Sequence, residues 1–314
     1  MNLKRLTIYF IFIISITAYS QQKPFEVTSK RNDDNSVVIN YRKSNPGSSF
    51  VVVNFKYLDN CGSPKIVRKT VKGEGGILMT LRPSNPDRSI KYSYNYKYIN
   101  GDHKAKPDNM FKYTLPFENG KDIEVRNLSY VGKRFGNVEP KNWKSFQFLV
   151  NLDETVYASR KGIVVDIEDD IDSNPDQEYS YNSKANYVII EHEDGTLAKY
   201  GVLKKNSIKV SIGDKVFPAT PIAIAGTYDK TENSQLRFSL YYLDPDTANS
   251  DNDSNQTLSN RKHDYAYVDP LFYVNEGSVN KLIARNNYKA MITNEIIEME
   301  MTKREKKKMS KKKN

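Results

Sequence analysis

The sequence predicts a mainly β fold: an N-terminal antiparallel β-sandwich, then a second antiparallel β-sheet domain, with a short C-terminal helical segment. Three observations lead there. Between residues 22 and 118, short stretches alternate apolar and polar residues with period two, separated by turn clusters such as SNPGSS and SNPDRS. The alternation resumes from ETVYAS onward, punctuated by Asp194-Gly195 and Gly213-Asp214, pairs that suit tight turns because they tolerate positive φ. Between Ser278 and Met301 the apolar spacing changes to three and four, the helical interval.

Each segment can be justified in chain order. Residues 1–21 pair Lys4 and Arg5 with an apolar run from Leu6 to Ala18 and then small and polar residues. That run is too short to span a bilayer and has the pattern of a cleaved signal peptide, which predicts an exported protein of the periplasm or cell surface with no transmembrane span after cleavage. In the 22–118 domain, SVVINYRK, FVVVNFKYL and GILMTLRP read as strands, and I-K-Y-S-Y-N-Y-K-Y puts Ile90, Tyr92, Tyr94, Tyr96 and Tyr98 on one face. The tyrosine row predicts the inner face of the sandwich, with hydroxyls reaching its rim, in preference to a sugar-stacking surface. Residues 119–141 read as a polar connector and 142–275 as the second β domain. Residues 276–302 read as one or two amphipathic helices through Val279, Leu282, Ile283, Ile292, Ile296 and Met299, and 303–314 as a basic disordered tail.

The net charge of +10 is local. Eight positive charges against Glu305 lie in KREKKKMSKKKN; without these and the leader's two, the chain is close to neutral. The charge therefore does not predict a nucleic-acid binder. The tail reads as a solubilising end or as a tether to an anionic envelope polymer or lipid head groups. Cys61 is the only cysteine, so no intramolecular disulfide is possible.

Within residues 142–275 a run of landmarks occurs in order: V-Y-A-S-R-K-G-I-V-V, N-Y-V-I-I-E-H-E-D-G-T, K-Y-G-V-L, I-G-D-K-V, I-A-I-A-G-T and Q-L-R-F-S-L. Their order and spacing resemble the LytM-type, lysostaphin-like zinc endopeptidase domain that cuts peptidoglycan cross-bridges. The resemblance implies a zinc site built from a His and an Asp ahead of V-Y-A, a His in a Y-x-H-L segment and an H-x-H pair on a strand. Zinc takes nitrogen or carboxylate lone pairs and keeps one position open for water, and residues i and i+2 of a strand share a face.

Carried onto this chain, the His and Asp positions fall on Trp143 and Gln147, the catalytic His position on Gly201, and the pair on Gln235 and Arg237. An indole N–H has no free lone pair, glycine has no side chain, neutral amides are poor zinc ligands, and a guanidinium stays protonated. The resemblance thus implies a degenerate domain with no cofactor and no catalytic residue. Its groove, with Trp143, Gln147, Tyr200, Gln235 and Arg237 as candidate binding residues, is retained for recognition. Arg237 suits a carboxylate.

His192 reads as a turn residue at a strand end, and His103 and His263 as loop residues. The acidic loops from Asp170 and Asp251 begin like calcium loops, but Pro175 and Gln256 stand where glycine is needed, and Tyr181 and Lys262 where glutamate is, so both read as solvated. Degenerate members of the family act as regulators of cell-wall amidases and as envelope scaffolds. The functional expectation is therefore binding of peptidoglycan, a cell-wall hydrolase or another envelope protein. The alternatives are an active zinc peptidase with non-standard ligands and a structural or adhesion component of the envelope. The sandwich resembles the β domains that often precede such modules and would add a second binding surface.

Overall fold

A computed structural model describes residues 23–172, 185–227, 234–248 and 263–313. The leader, most of the Asp170 loop and the whole Asp251 loop lie outside the described residues. No described helix is long and apolar enough to cross a membrane.

The first domain pairs two three-stranded antiparallel sheets. One is ordered β1 (Phe25–Arg31), β2 (Val37–Lys43), β5 (Gly75–Leu81); the other β4 (Ile66–Val71), β3 (Ser49–Asp59), β6 (Lys91–Asn100). Alternation sets what is buried between them: Val37 and Ile39 from β2, Val51, Val53 and Phe55 from β3, and the preceding Ile90, with Tyr92, Tyr94, Tyr96 and Tyr98 packed against them. As the pattern predicted, the tyrosine rings face inward. Their hydroxyls reach the β1 edge, Tyr92 donating to Ser29 Oγ at 3.0 Å and Tyr96 to the Phe25 carbonyl at 3.3 Å.

The second domain is built on a nine-stranded sheet in which β14 (Lys215–Val216), β11 (Gly162–Glu168), β12 (Asn186–Glu191), β13 (Leu197–Leu203), β16 (Ser234–Leu243), β9 (Phe146–Val150), β8 (Asp122–Asn127) and β20 (Asn287–Lys289) follow one another, and β17 (Tyr265–Val268) pairs with β16. β7 (Lys112–Thr114), β18 (Leu271–Val274) and β19 (Ser278–Asn280) form a small sheet, and β10 (Thr155–Tyr157) pairs with β15 (Pro221–Ile224). One face of the large sheet buries Phe146, Phe148, Val188, Ile190, Tyr200, Leu236, Phe238 and Leu240 against Tyr113, Phe117 and Phe272. The interlocked rings of Phe146, Phe148, Phe238 and Phe272 hold its centre.

Glycine is required at the β12–β13 turn, where Gly195 has φ +83°, and at Gly162, where a Cβ would lie 2.6 Å from the Glu191 carbonyl oxygen. The two domains share a third apolar cluster. Phe50 and Val52, on the outer face of β3, pack on Leu243 with Tyr265 beside it. Ser48 adds a polar latch, its backbone N–H donating to Glu191 Oε2 at 2.6 Å and its hydroxyl to Glu191 Oε1.

Three segment readings need correction. The 119–141 stretch is not a bare connector: β8 pairs with β9, and Ile123 and Val125 are fully buried. Residues 276–302 are not helical throughout. They contain β19, β20 and only the short α2 (Asn294–Glu298), after an α1 (Pro245–Ala248) upstream. The three-to-four spacing misleads because its positions do not share a face: Leu282 is buried while Ile283 is 64% exposed. Residues 303–313 are not disordered but form α3 (Lys303–Lys313). The helix starts on a capping box, with the Thr302 N–H donating to Glu305 Oε2 at 2.8 Å and the Glu305 N–H to Thr302 Oγ1 at 3.3 Å.

Candidate functional site

The face of the large sheet opposite the phenylalanine core forms one side of a cavity of about 690 Å³. Register puts the sequence-predicted positions side by side on it. Gly201 of β13 lies opposite Arg237 of β16, and Arg237 opposite Gln147 of β9. Directly opposed residues on neighbouring strands stand about 5 Å apart at Cβ, so these three positions form one row across this face; Gly201 and Arg237 line the cavity, while Gln147 and Gln235 lie beside it, outside its lining. Two residues along β16, Gln235 accepts a hydrogen bond from Gln147 Nε2 at 2.8 Å.

Trp143 stands in the wall. Asn142, at φ +57°, turns the chain into it, and its indole N–H donates to the Leu128 carbonyl at 2.8 Å. Its ring lies 4.6 Å from Tyr267 and 5.1 Å from Tyr130 between centroids. Tyr200 is not a groove residue. It neighbours Gly201 on a strand, so its side chain takes the other face, where it is fully buried and its hydroxyl accepts from the Ser159 N–H at 2.8 Å.

The rest of the lining was not singled out from the sequence. Tyr187, Tyr241, Tyr265 and Tyr267, all half-buried, line the cavity with Lys199. The Lys199 ammonium sits 4.2 Å from the Tyr187 ring centroid, and the Tyr187 hydroxyl donates to Asp166 at 3.1 Å. Ser239 donates to Ser145 across the strands at 2.9 Å. Burial pushes the Tyr187 hydroxyl up to about 12, with the Asp166 charge adding to it; burial also lifts Tyr267 to about 12 and Tyr241 well above the usual phenol value. Burial holds Lys199 below the usual lysine range against the opposing pull of Asp166. Period two was the available signal: Lys199 is i−2 from Gly201, and Ser239 and Tyr241 are i+2 and i+4 from Arg237. The supposed connector contributes as well, through Leu128, Tyr130 and Gly132.

Residues 141–252 match the model of Peptidase family M23. These residues form an M23 peptidase domain. Among solved structures, the chain is similar to the catalytic domain of the antimicrobial peptidase lysostaphin from Staphylococcus simulans, at 16% identity over 46% of this chain and 86% of that one, with a TM-score of 0.26. It is also similar to a zinc-containing peptidase from Vibrio cholerae, at 14% identity over 69% and 75%, TM-score 0.25. A third similarity is to Helicobacter pylori Csd3, at 11% identity over 91% and 82%, TM-score 0.28. A search of curated proteins finds no match.

The M23 fold implies zinc, and the donors at the corresponding positions on this face of the sheet do not fit it. Gln147 and Gln235 are joined amide to amide, the Trp143 N–H is committed to a carbonyl, Gly201 has no side chain, and Arg237 carries a fixed positive charge. Among the described residues, no group of three His, Cys, Asp or Glu side chains is placed to hold a metal. The histidines are elsewhere. His192 is 3% exposed, with Nδ1 2.8 Å from the Lys161 carbonyl oxygen, and burial, with the nearby Arg160 charge, depresses it to about 3. His103 lies against Thr70 and Phe50 of the sandwich. His263 lies beside Tyr130, 5.4 Å from its ring centroid.

Proposed function

We propose that this is an exported cell-envelope protein whose M23 domain works by binding, holding peptidoglycan or a cell-wall enzyme or scaffold partner in its groove without cutting it. The observation that carries the reading is the Gly201–Arg237–Gln147 row. It keeps the family's site positions in register while offering a cation and amides where zinc would need lone-pair donors. Beside the row, half-buried tyrosines line the cavity and Arg237 supplies a cationic group suited to a carboxylate, a combination suited to recognition.

Trp143 makes the test direct, because it is the only tryptophan of the chain and lines the groove. Titrating solubilised peptidoglycan fragments into residues 22–314 should change the tryptophan emission saturably, and Arg237→Gln should weaken the response. Zinc content and peptidoglycan digestion, measured on the same sample purified without chelators, should both be nil. One zinc per chain with chelator-sensitive cleavage overturns the reading.

A further inference from the structure

The C-terminal helix α3 points to a second contact surface. It is docked on one side only. Glu305 reaches Lys161 Nζ at 3.0 Å and Lys215 Nζ at 3.0 Å, and Glu305 and Met309, one turn apart, are its half-buried residues. Just before it, Glu300 is forked onto the buried Arg160 guanidinium, which ties the preceding chain to the domain.

On a 3.6-residue helix, Lys303, Arg304, Lys307 and Lys311 fall on the arc away from Glu305 and Met309, with Lys306 and Lys308 on its two flanks, and all six are exposed. Among the described residues, Lys306 alone of the six meets an acid, Glu298 at 3.3 Å. Lys303, Lys307 and Lys311, at successive i+4 positions, repel one another along the centre of this face. A helix of eleven residues is marginal alone, and nothing on the outward side relieves that repulsion.

We infer that the outward face of α3 docks on an anionic lipid bilayer surface. The face is about 16 Å long, from eleven residues at 1.5 Å rise, and a plane of head groups can meet Lys303, Arg304, Lys307 and Lys311 at once. A flexible polyanion gains most by wrapping a cationic rod, and here the domain behind Glu305 blocks wrapping. Contact needs no insertion, since Met309, the helix's only apolar residue, is turned toward the body.

Sedimentation of residues 22–314 with vesicles of phosphatidylcholine, and of phosphatidylcholine with one third phosphatidylglycerol, tests this. Binding should require the anionic lipid and weaken as salt shortens the screening length. The Lys303→Gln/Lys307→Gln/Lys311→Gln variant should bind roughly a hundredfold more weakly, about fivefold per basic residue removed. The matching Lys→Arg triple variant should retain binding, and thermal unfolding should show that both variants fold. Equal binding to neutral vesicles, an unaffected glutamine variant, or capture by soluble polyglutamate with none by vesicles would each overturn the inference.

Discussion

The attachment of the C-terminal segment rests on Arg160, and removing Glu300 tests that directly. The Arg160 side chain is 4% exposed. Its Nε lies 3.1 Å from both Glu300 oxygens, Nη2 lies 2.8 Å from Oε1, and Nη1 donates to Asp194 at 2.7 Å and to Tyr113 at 2.9 Å, while Phe111 lies under the plane at 3.7 Å. Breaking a buried ion pair costs about 3–5 kcal/mol when it leaves an uncompensated charge. Here Asp194 stays to balance the guanidinium and the Glu300 side chain is 18% exposed, so Glu300→Ala should cost less, about 2–3 kcal/mol. At about 2–4 °C per kcal/mol for a chain of this size, Tm should fall by roughly 4–12 °C. Glu300→Gln keeps an acceptor for the fork and should lose about half as much. Urea unfolding followed by far-UV circular dichroism gives the free energies, and limited trypsin digestion should cut the lysine-rich helix faster in the alanine variant. A loss below about 1 kcal/mol, or equal losses for Ala and Gln, would refute the view that this fork anchors the segment.

His192 stays neutral in the fold down to about pH 3 but accepts a proton near pH 6.5 when unfolded. The unfolded state therefore binds one more proton in that window, and stability should fall as pH drops through it, by about 1.4 kcal/mol per pH unit. His192→Asn should flatten that slope in urea titrations at pH 7, 6 and 5. Asp194 adds to this at the acid end: burial opposes its ionisation, but Arg160 and Thr196 outweigh it and hold the carboxyl below its ordinary value of 3.8, so its share is full above that value and is lost as pH falls from there through the lowered one. Glu191→Ala leaves the buried Ser48 N–H and hydroxyl unpaired, which should cost about 2–3 kcal/mol and separate the unfolding of the two domains in calorimetry. Gly162→Ala would put a methyl 2.5 Å from Ile190 Cγ2, and a loss of about 1–3 kcal/mol in urea unfolding is expected from overpacking.

Where one signal governed, the fold was legible. Alternation placed Ile90 and the tyrosine row inside the sandwich, and the ordered landmarks gave the M23 domain. Competing signals hid the rest. Lysines dominate the composition of 303–314, yet T-x-x-E at its start is a capping box that nucleates a helix. Tyr288 looked like part of a helical stretch because the strand around it is only three residues long; β8, from the supposed connector, supplies its partner at a distant point of the chain. Tyr200 could have been placed correctly from the sequence alone: if Gly201 faces the groove, its strand neighbour must face the core.

The same alternation explains how the site's chemistry and the fold can separate. In the large sheet Phe146 and Phe148 of β9, Tyr200 of β13 and Leu236, Phe238 and Leu240 of β16 sit on the face opposite the groove, and the ladders between these strands are made by backbone groups, so the groove-face residues around Arg237 can change without disturbing the phenylalanine core. A zinc ion bound to a site also contributes to folding. Here cross-strand contacts between Gln147 and Gln235 and between Ser145 and Ser239 occupy that face instead, each a neutral hydrogen bond contributing about 1 kcal/mol. That is far less than a structural zinc supplies, so the sheet and its aromatic core must carry the domain's stability. If the groove binds as proposed, Arg237 and Lys199 are the positions where substitution should change binding while shifting the unfolding transition least, because the tyrosines beside them also pack between elements of the fold.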